Sequence, residues 1–242
     1  MDKKNIKIPR FENLILFEDE NLLVVNKPPF LSCLEDRAEL RNLLEMAKGY
    51  NSEARLCHRI DKETSGIVLL AKNDESYKAV SLLFEKRKMH KIYHAITDGP
   101  HRFDDEVVDQ AIYVGSRGKV VIDRSKGKRS VTTFNTLDVF RNHSLLECVP
   151  LTGRMHQIRI HLSTKSAAIT GDEAYGGKFP MLSNYKRKYS AGKNHEEYPI
   201  IQRFALHAYA LKFEWEGKEV EFIAPYPKDF EVLLKLLDKH NR

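Results

Sequence analysis

The chain has 242 residues, 42% of them apolar, enough to bury a substantial core in a single unit. Forty Lys and Arg against 34 Asp and Glu leave a formal charge of +6, a mild excess that is clustered locally and suits a polyanionic partner. Three widely spaced cysteines (Cys33, Cys57, Cys148) make neither a disulfide framework nor a zinc-binding CxxC pair, and no leader-like or bilayer-length apolar run occurs. These features predict an untargeted, soluble, monomeric chain in a reducing cytoplasm, without a membrane contact.

In chain order, Leu14 to Asn21 and Leu22 to Lys27 read as two strands, the second stopped by Pro28-Pro29. Leu40, Leu43, Leu44 and Ala47 recur at helical spacing, and Ile67 to Ala71 is a short apolar run of the kind found in a central strand. Val80, Leu83 and Phe84 support a helix over Ala79 to Arg87, leading into an alternating strand from His90 to Ile96 that Asp98-Gly99-Pro100 ends. From Val107 to Cys148 the chain is rich in Val, Thr, Ile and Phe, with hairpin tips at Gly115 to Gly118 and Arg124 to Gly127. Met155, Ile158, Ile160 and Leu162 then fit a helix with Thr152 as its N-cap, ending before Gly171. Tyr175 to Tyr198 is basic and aperiodic, as in a long functional loop; two strands and a helix over Phe230 to Leu237 finish the chain. No repeat or linker is evident, which predicts a single domain over 1–242 with helices packed on a largely antiparallel sheet.

The densest polar segment, Arg55 to Gly66, precedes the apolar strand, where a rigid element can hold a loop residue in place. Two readings of Asp61 compete on local pattern: a turn former satisfying backbone amides with Thr64, or a nucleophile or base. The paired histidines His90 and His94, and His156 and His161, have no Cys or carboxylate completing a ligand set, so no metal is expected. Phosphate-loop, GxGxxG and GxSxG patterns are missing, and no cofactor is expected.

His58-Arg-Ile-Asp61-Lys-Glu-Thr-Ser-Gly-Ile-Val-Leu-Leu-Ala-Lys72 resembles the catalytic motif of the RluA-type pseudouridine synthases. Four further segments match that family in order: Leu22 to Pro29, Lys91 to Gly99, Thr152 to Leu162 continuing to Gly171-Asp-Glu-Ala-Tyr-Gly-Gly177, and Arg203 to Ala208. The resemblance runs from about Leu14 to Pro227. It implies an α+β fold with a mixed, mainly antiparallel central sheet flanked by helices and loops and a central RNA-binding cleft, and an enzyme that isomerises uridine in ribosomal or transfer RNA. Asp61 is then the catalytic aspartate, Arg159 its ion-pair partner, Tyr93 and Leu206 the residues on either side of the extruded base, and Arg59 a contact to the RNA.

Taken alone, Arg159 would be an exposed helix arginine, Tyr93 and Leu206 core residues, and Arg59 one half of a surface pair. An arginine within roughly 4–6 Å favours the ionised form of a carboxylate in a closed cleft, and an aromatic contact contributes about 1–3 kcal/mol per base. Lys86 to Lys88, Arg124 to Arg129 and Lys186 to Lys188 are candidate phosphate contacts. Whether Asp61 attacks the base or the sugar, or removes a sugar proton, stays open.

Two segments depart from the family pattern: Phe30 to Cys33 lacks its usual glycine and histidine, and Ser166-Ala-Ala168 stands where glycine and proline are frequent. Only about a dozen residues precede the first motif, so a stand-alone catalytic domain without the N-terminal RNA-binding module of many members is expected.

Overall fold

A computed structural model describes residues 8–35, 41–186 and 197–240. In chain order, a 3-10 turn over Phe11–Leu14 leads into β1 (Ile15–Glu18), β2 (Leu22–Lys27), α1 (Leu43–Tyr50), β3 (Arg55–Leu56), β4 (Ser65–Ala71) and α2 (Asp74–Glu85). There follow β5 (His90–Asp98), β6 (Glu106–Asp109), β7 (Ile112–Val114), β8 (Val120–Ile122), β9 (Val131–Val139) and β10 (His143–Pro150). The chain closes with α3 (Gln157–Thr164), β11 (Leu206–Trp215), β12 (Lys218–Ile223) and α4 (Lys228–His240). The class is α+β and the strand pairing is mixed but mainly antiparallel, as expected.

The chain divides into two compact units, the first formed by residues 1–91 and 207–226, the second by 92–206 and 227–242. In the first, the strand order is β1-β2-β4-β11-β12, with β3 on β4 and one parallel pairing, His207 to Ser65 and Ala208 to Gly66, between β11 and β4. β2 and β4 are buried on both faces, which is why they read as unbroken apolar runs and not as alternating ones. Leu23, Val25, Val68 and Leu70 pack with Leu43 and Ala47 of α1, whereas Leu22, Val24, Ile67 and Leu69 pack with Val80 of α2 and with Leu211 and Phe213. Asn42 and Asn73 cap the two helices by accepting the N–H groups of Glu45 and Ser76, so α2 begins five residues before the expected Ala79. Leu40 of the expected first helix lies outside the described residues.

In the second unit β6, β9, β10 and β5 form consecutive antiparallel ladders, and β7 pairs with β8 in a separate hairpin. α3 starts later than expected, at Gln157, and Thr152 is not its N-cap. Gln157 organises that corner with its own amide: Oε1 accepts from the Arg154 N–H (3.0 Å) and the Thr152 hydroxyl (2.7 Å), and Nε2 donates to the Val131 carbonyl (2.9 Å) and Thr132 (2.9 Å). Met155, counted toward the helical repeat, lies exposed before the helix. Both family departures fall on left-handed backbone: Phe30 has φ of 65° and Ser166 of 57°. These are conformations that glycine adopts without strain.

Candidate active site

The irregular segment between β3 and β4 carries Asp61. Its 61–64 turn is closed through the main chain, with the Thr64 N–H donating to the Asp61 carbonyl at 3.1 Å. The carbonyls on both sides of Asp61 are anchored. Lys27 is fully buried, and its three ammonium donors meet three main-chain carbonyls: Pro28 (3.0 Å), Leu31 (2.8 Å) and Lys62 (3.0 Å). The Lys62 carbonyl also accepts from the Phe30 N–H at 2.9 Å, and the Cys33 thiol donates to the Ile60 carbonyl at 3.4 Å. Burial pushes the Cys33 thiol up, so it acts as a neutral donor.

On the other flank His58 ties the loop to the sheet. Its Nε2 accepts the Leu69 N–H at 3.1 Å, which puts any ring proton of the neutral form on Nδ1. Burial, and secondarily the charge of Lys91, push its pKa down to about 3, although the residue as a whole is only half-buried. Burial also lowers Lys91 to about 8. Gly66, at the loop's exit, has φ of 111°, and a Cβ there would run into the backbone of Ala208. The side chain of Asp61 is half-buried, and Arg59 is exposed.

The other expected site residues belong to the second unit. Arg159 is not an exposed helix arginine: it is 7% accessible on α3, and Asp172, at 2%, holds it side-on through Nε (2.7 Å) and Nη2 (2.8 Å). Its guanidinium carbon lies 4.2 Å from the ring centre of Phe204 and 4.9 Å from that of Tyr175. Tyr93, half-buried on β5, stands opposite Cys148 of β10. Leu206 is buried, and its carbonyl accepts from Nη1 of Arg203 at 3.2 Å. Arg203, fully buried, is paired bidentately with Asp229 of α4 at 2.7 and 3.1 Å. Three main-chain bonds, Ile96 N–H to Ala205, Ala205 N–H to Thr170, and Thr170 N–H to Ile96, lock the approach to Leu206 onto β5.

Four residues of this architecture carry no assigned role in the sequence reading: Lys27, Asp172, Phe204 and Arg203. All lie inside the quoted motifs, so the signal was present as position but not as partnership. His161 is committed to structure, its Nε2 donating to the Gln110 carbonyl (3.1 Å) and its Nδ1 accepting from Thr132 (2.9 Å). Among the described residues, no group of three or more His, Cys, Asp or Glu is placed to hold a metal ion, and no helix is long and apolar enough to cross a membrane. Of the basic clusters, residues 187 and 188 lie outside the described residues.

Residues 21–164 match the family model described as RNA pseudouridylate synthase. The chain is 34% identical to ribosomal large subunit pseudouridine synthase D of Zymomonas mobilis, covering 94% of this chain and 74% of the relative. It is 29% identical to ribosomal large subunit pseudouridine synthase C of Vibrio parahaemolyticus, covering 97% and 72%. The solved structure of human RNA pseudouridylate synthase domain containing 4 superposes with a TM-score of 0.70 at 28% identity, covering 94% of this chain and 95% of that one. The fold and these relatives agree: the chain belongs to the RNA pseudouridylate synthase family and is a pseudouridine synthase, an RNA-modifying isomerase.

Proposed function

We propose that the chain isomerises uridines in ribosomal RNA with Asp61 as its catalytic carboxylate, acting as a monomer in the cytoplasm. The ribosomal substrate is supported by the names of the relatives, which act on the large subunit. The role of Asp61 is supported by its setting: the Lys27 cage and the Cys33 contact hold the peptide groups on both sides of it, as a group that must meet a reacting atom requires.

The reaction breaks the N1–C1′ bond, turns the uracil and forms the C5–C1′ bond, while a proton leaves C5 and one is gained at N1. Atoms and electrons balance within the nucleotide, so the transformation needs no co-substrate. A stacked base cannot turn, so the uridine is extruded at a cost of a few kcal/mol. Tyr93 and Leu206 hold it on either side, and the aromatic contact returns about 1–3 kcal/mol. By the resemblance Arg159 is the arginine assigned to the catalytic carboxylate, and exposed Arg59 contacts the RNA.

Carbodiimide-stopped reverse transcription of ribosomal and transfer RNA incubated with the protein tests this. New stops in ribosomal RNA that vanish with Asp61→Asn are expected. Stops only in transfer RNA would overturn the substrate, and stops that persist with Asp61→Asn would overturn the role of the aspartate.

A further inference from the structure

Arg159 is held more tightly than a helix arginine needs to be, and by one carboxylate that the motif reading left without a role. Asp172 takes Nε and Nη2 together, which fixes the plane of the guanidinium as well as its position. Phe204 and Tyr175 bound that plane at 4.2 and 4.9 Å. The carboxylate has little freedom of its own. The Asp172 N–H donates to the Ile169 carbonyl (2.9 Å), and its carbonyl accepts from Tyr175 (3.0 Å) and Gly177 (2.9 Å). The turn admits no side chain at Gly177, where a Cβ would collide with the Ile169 carbonyl, and Gly171 has φ of 84° beside the Arg203 backbone. A second polar tie fixes the same wall, since the Tyr175 hydroxyl meets Nδ1 of His156 at 2.9 Å.

A guanidinium has five donors, and this pairing uses two nitrogens on one edge, so the two Nη1 protons point away from Asp172 in a direction that Asp172 sets. An ion pair kept only for stability has no use for that direction, because apolar replacements of a buried pair are often neutral or better. We infer that Asp172 is a positioning residue of the reaction, fixing the plane and direction of the Arg159 guanidinium for its role in the reaction. The inference rests on the role proposed for Arg159.

The test is a cycle of Asp172→Asn, Arg159→Ala and the double variant, each assayed in single turnover on a uridine-containing RNA substrate, with RNA affinity and thermal melting measured alongside. Asn keeps the shape and one acceptor while removing the charge and the second acceptor. Asp172→Asn is expected to slow isomerisation at least tenfold with RNA affinity within about threefold of wild type. It should add less than twofold to the loss already caused by Arg159→Ala. Asp172→Glu keeps the charge but displaces the carboxylate by one methylene; it should fold and still lose rate, which keeps the test decisive if the Asn variant is unstable. A near-wild-type rate in a folded Asp172 variant, with Arg159→Ala inactive, would overturn the inference alone, as would multiplicative losses in the double variant. A near-wild-type rate for Arg159→Ala would instead overturn the reading on which it stands.

Discussion

Replacing Lys27 by Met retains most of the buried stem and strips the ammonium from its three carbonyls. Hydrogen bonds to a charged group contribute about 1.5–3 kcal/mol each, and a buried acceptor left without its partner costs about 1–3 kcal/mol. The sum overstates the loss, because the Lys62 carbonyl keeps the Phe30 N–H and because wild type bears the desolvation of a fully buried cation. A net destabilisation of about 3–5 kcal/mol is therefore expected, a large share of the 5–15 kcal/mol typical of a folded protein. Urea unfolding followed by circular dichroism reads this as a lowered midpoint at unchanged slope. Because the cage holds the carbonyl next to Asp61, single-turnover activity at a temperature where the variant is fully folded should fall as well. A stability change under about 1 kcal/mol, with activity retained, would refute the idea that this lysine holds the catalytic loop.

Ser166→Gly relieves a left-handed serine (φ 57°) and should raise stability by up to about 1 kcal/mol in thermal unfolding, whereas Ser166→Val should lower it. Asp229→Asn removes the charge facing the fully buried Arg203 and should cost about 3 kcal/mol in denaturant unfolding; a loss under 1 kcal/mol would mean that the pair does not secure α4. Burial holds His94 down to about 4 and His58 to about 3, so both are neutral in the fold while their unfolded forms protonate near 6.5. The unfolded state thus binds more protons between those values, and stability is full above pH 6.5. It falls toward pH 4, by at most roughly 1.4 kcal/mol per pH unit for each histidine. A shallower fall of the denaturation midpoint from pH 7 to 4.5 in a His94→Gln, His58→Gln double variant than in wild type would confirm the assignment, and an equal fall would refute it.

The elements that recur in a short window were legible before any coordinates: the apolar runs of β2 and β4, the alternation of β5, and the hairpin tip at Gly115, whereas the expected tip at Arg124 to Gly127 leads from β8 into β9, which pairs with β6 and β10 instead. Period and turn chemistry are local, so local sequence determines them. Boundaries that depend on a distant partner were misplaced. Thr152 looked like a helix cap, but Gln157, bonded across to β9, took over that corner.

Asp61 illustrates the division most sharply. Its place in a motif, and the motif's order among four others, lies in the sequence by itself, as do the departures from the family pattern at Phe30 to Cys33 and Ser166 to Ala168, whereas the left-handed backbone at Phe30 and Ser166 appears only in the fold. That Lys27 clamps a peptide 35 residues away, that Asp172 holds Arg159 over 13 residues, and that Asp229 reaches Arg203 over 26 were decided only by the tertiary structure. The reason is physical: a buried charge is tolerated only where the fold brings acceptors to it, and no local pattern records which ones arrive.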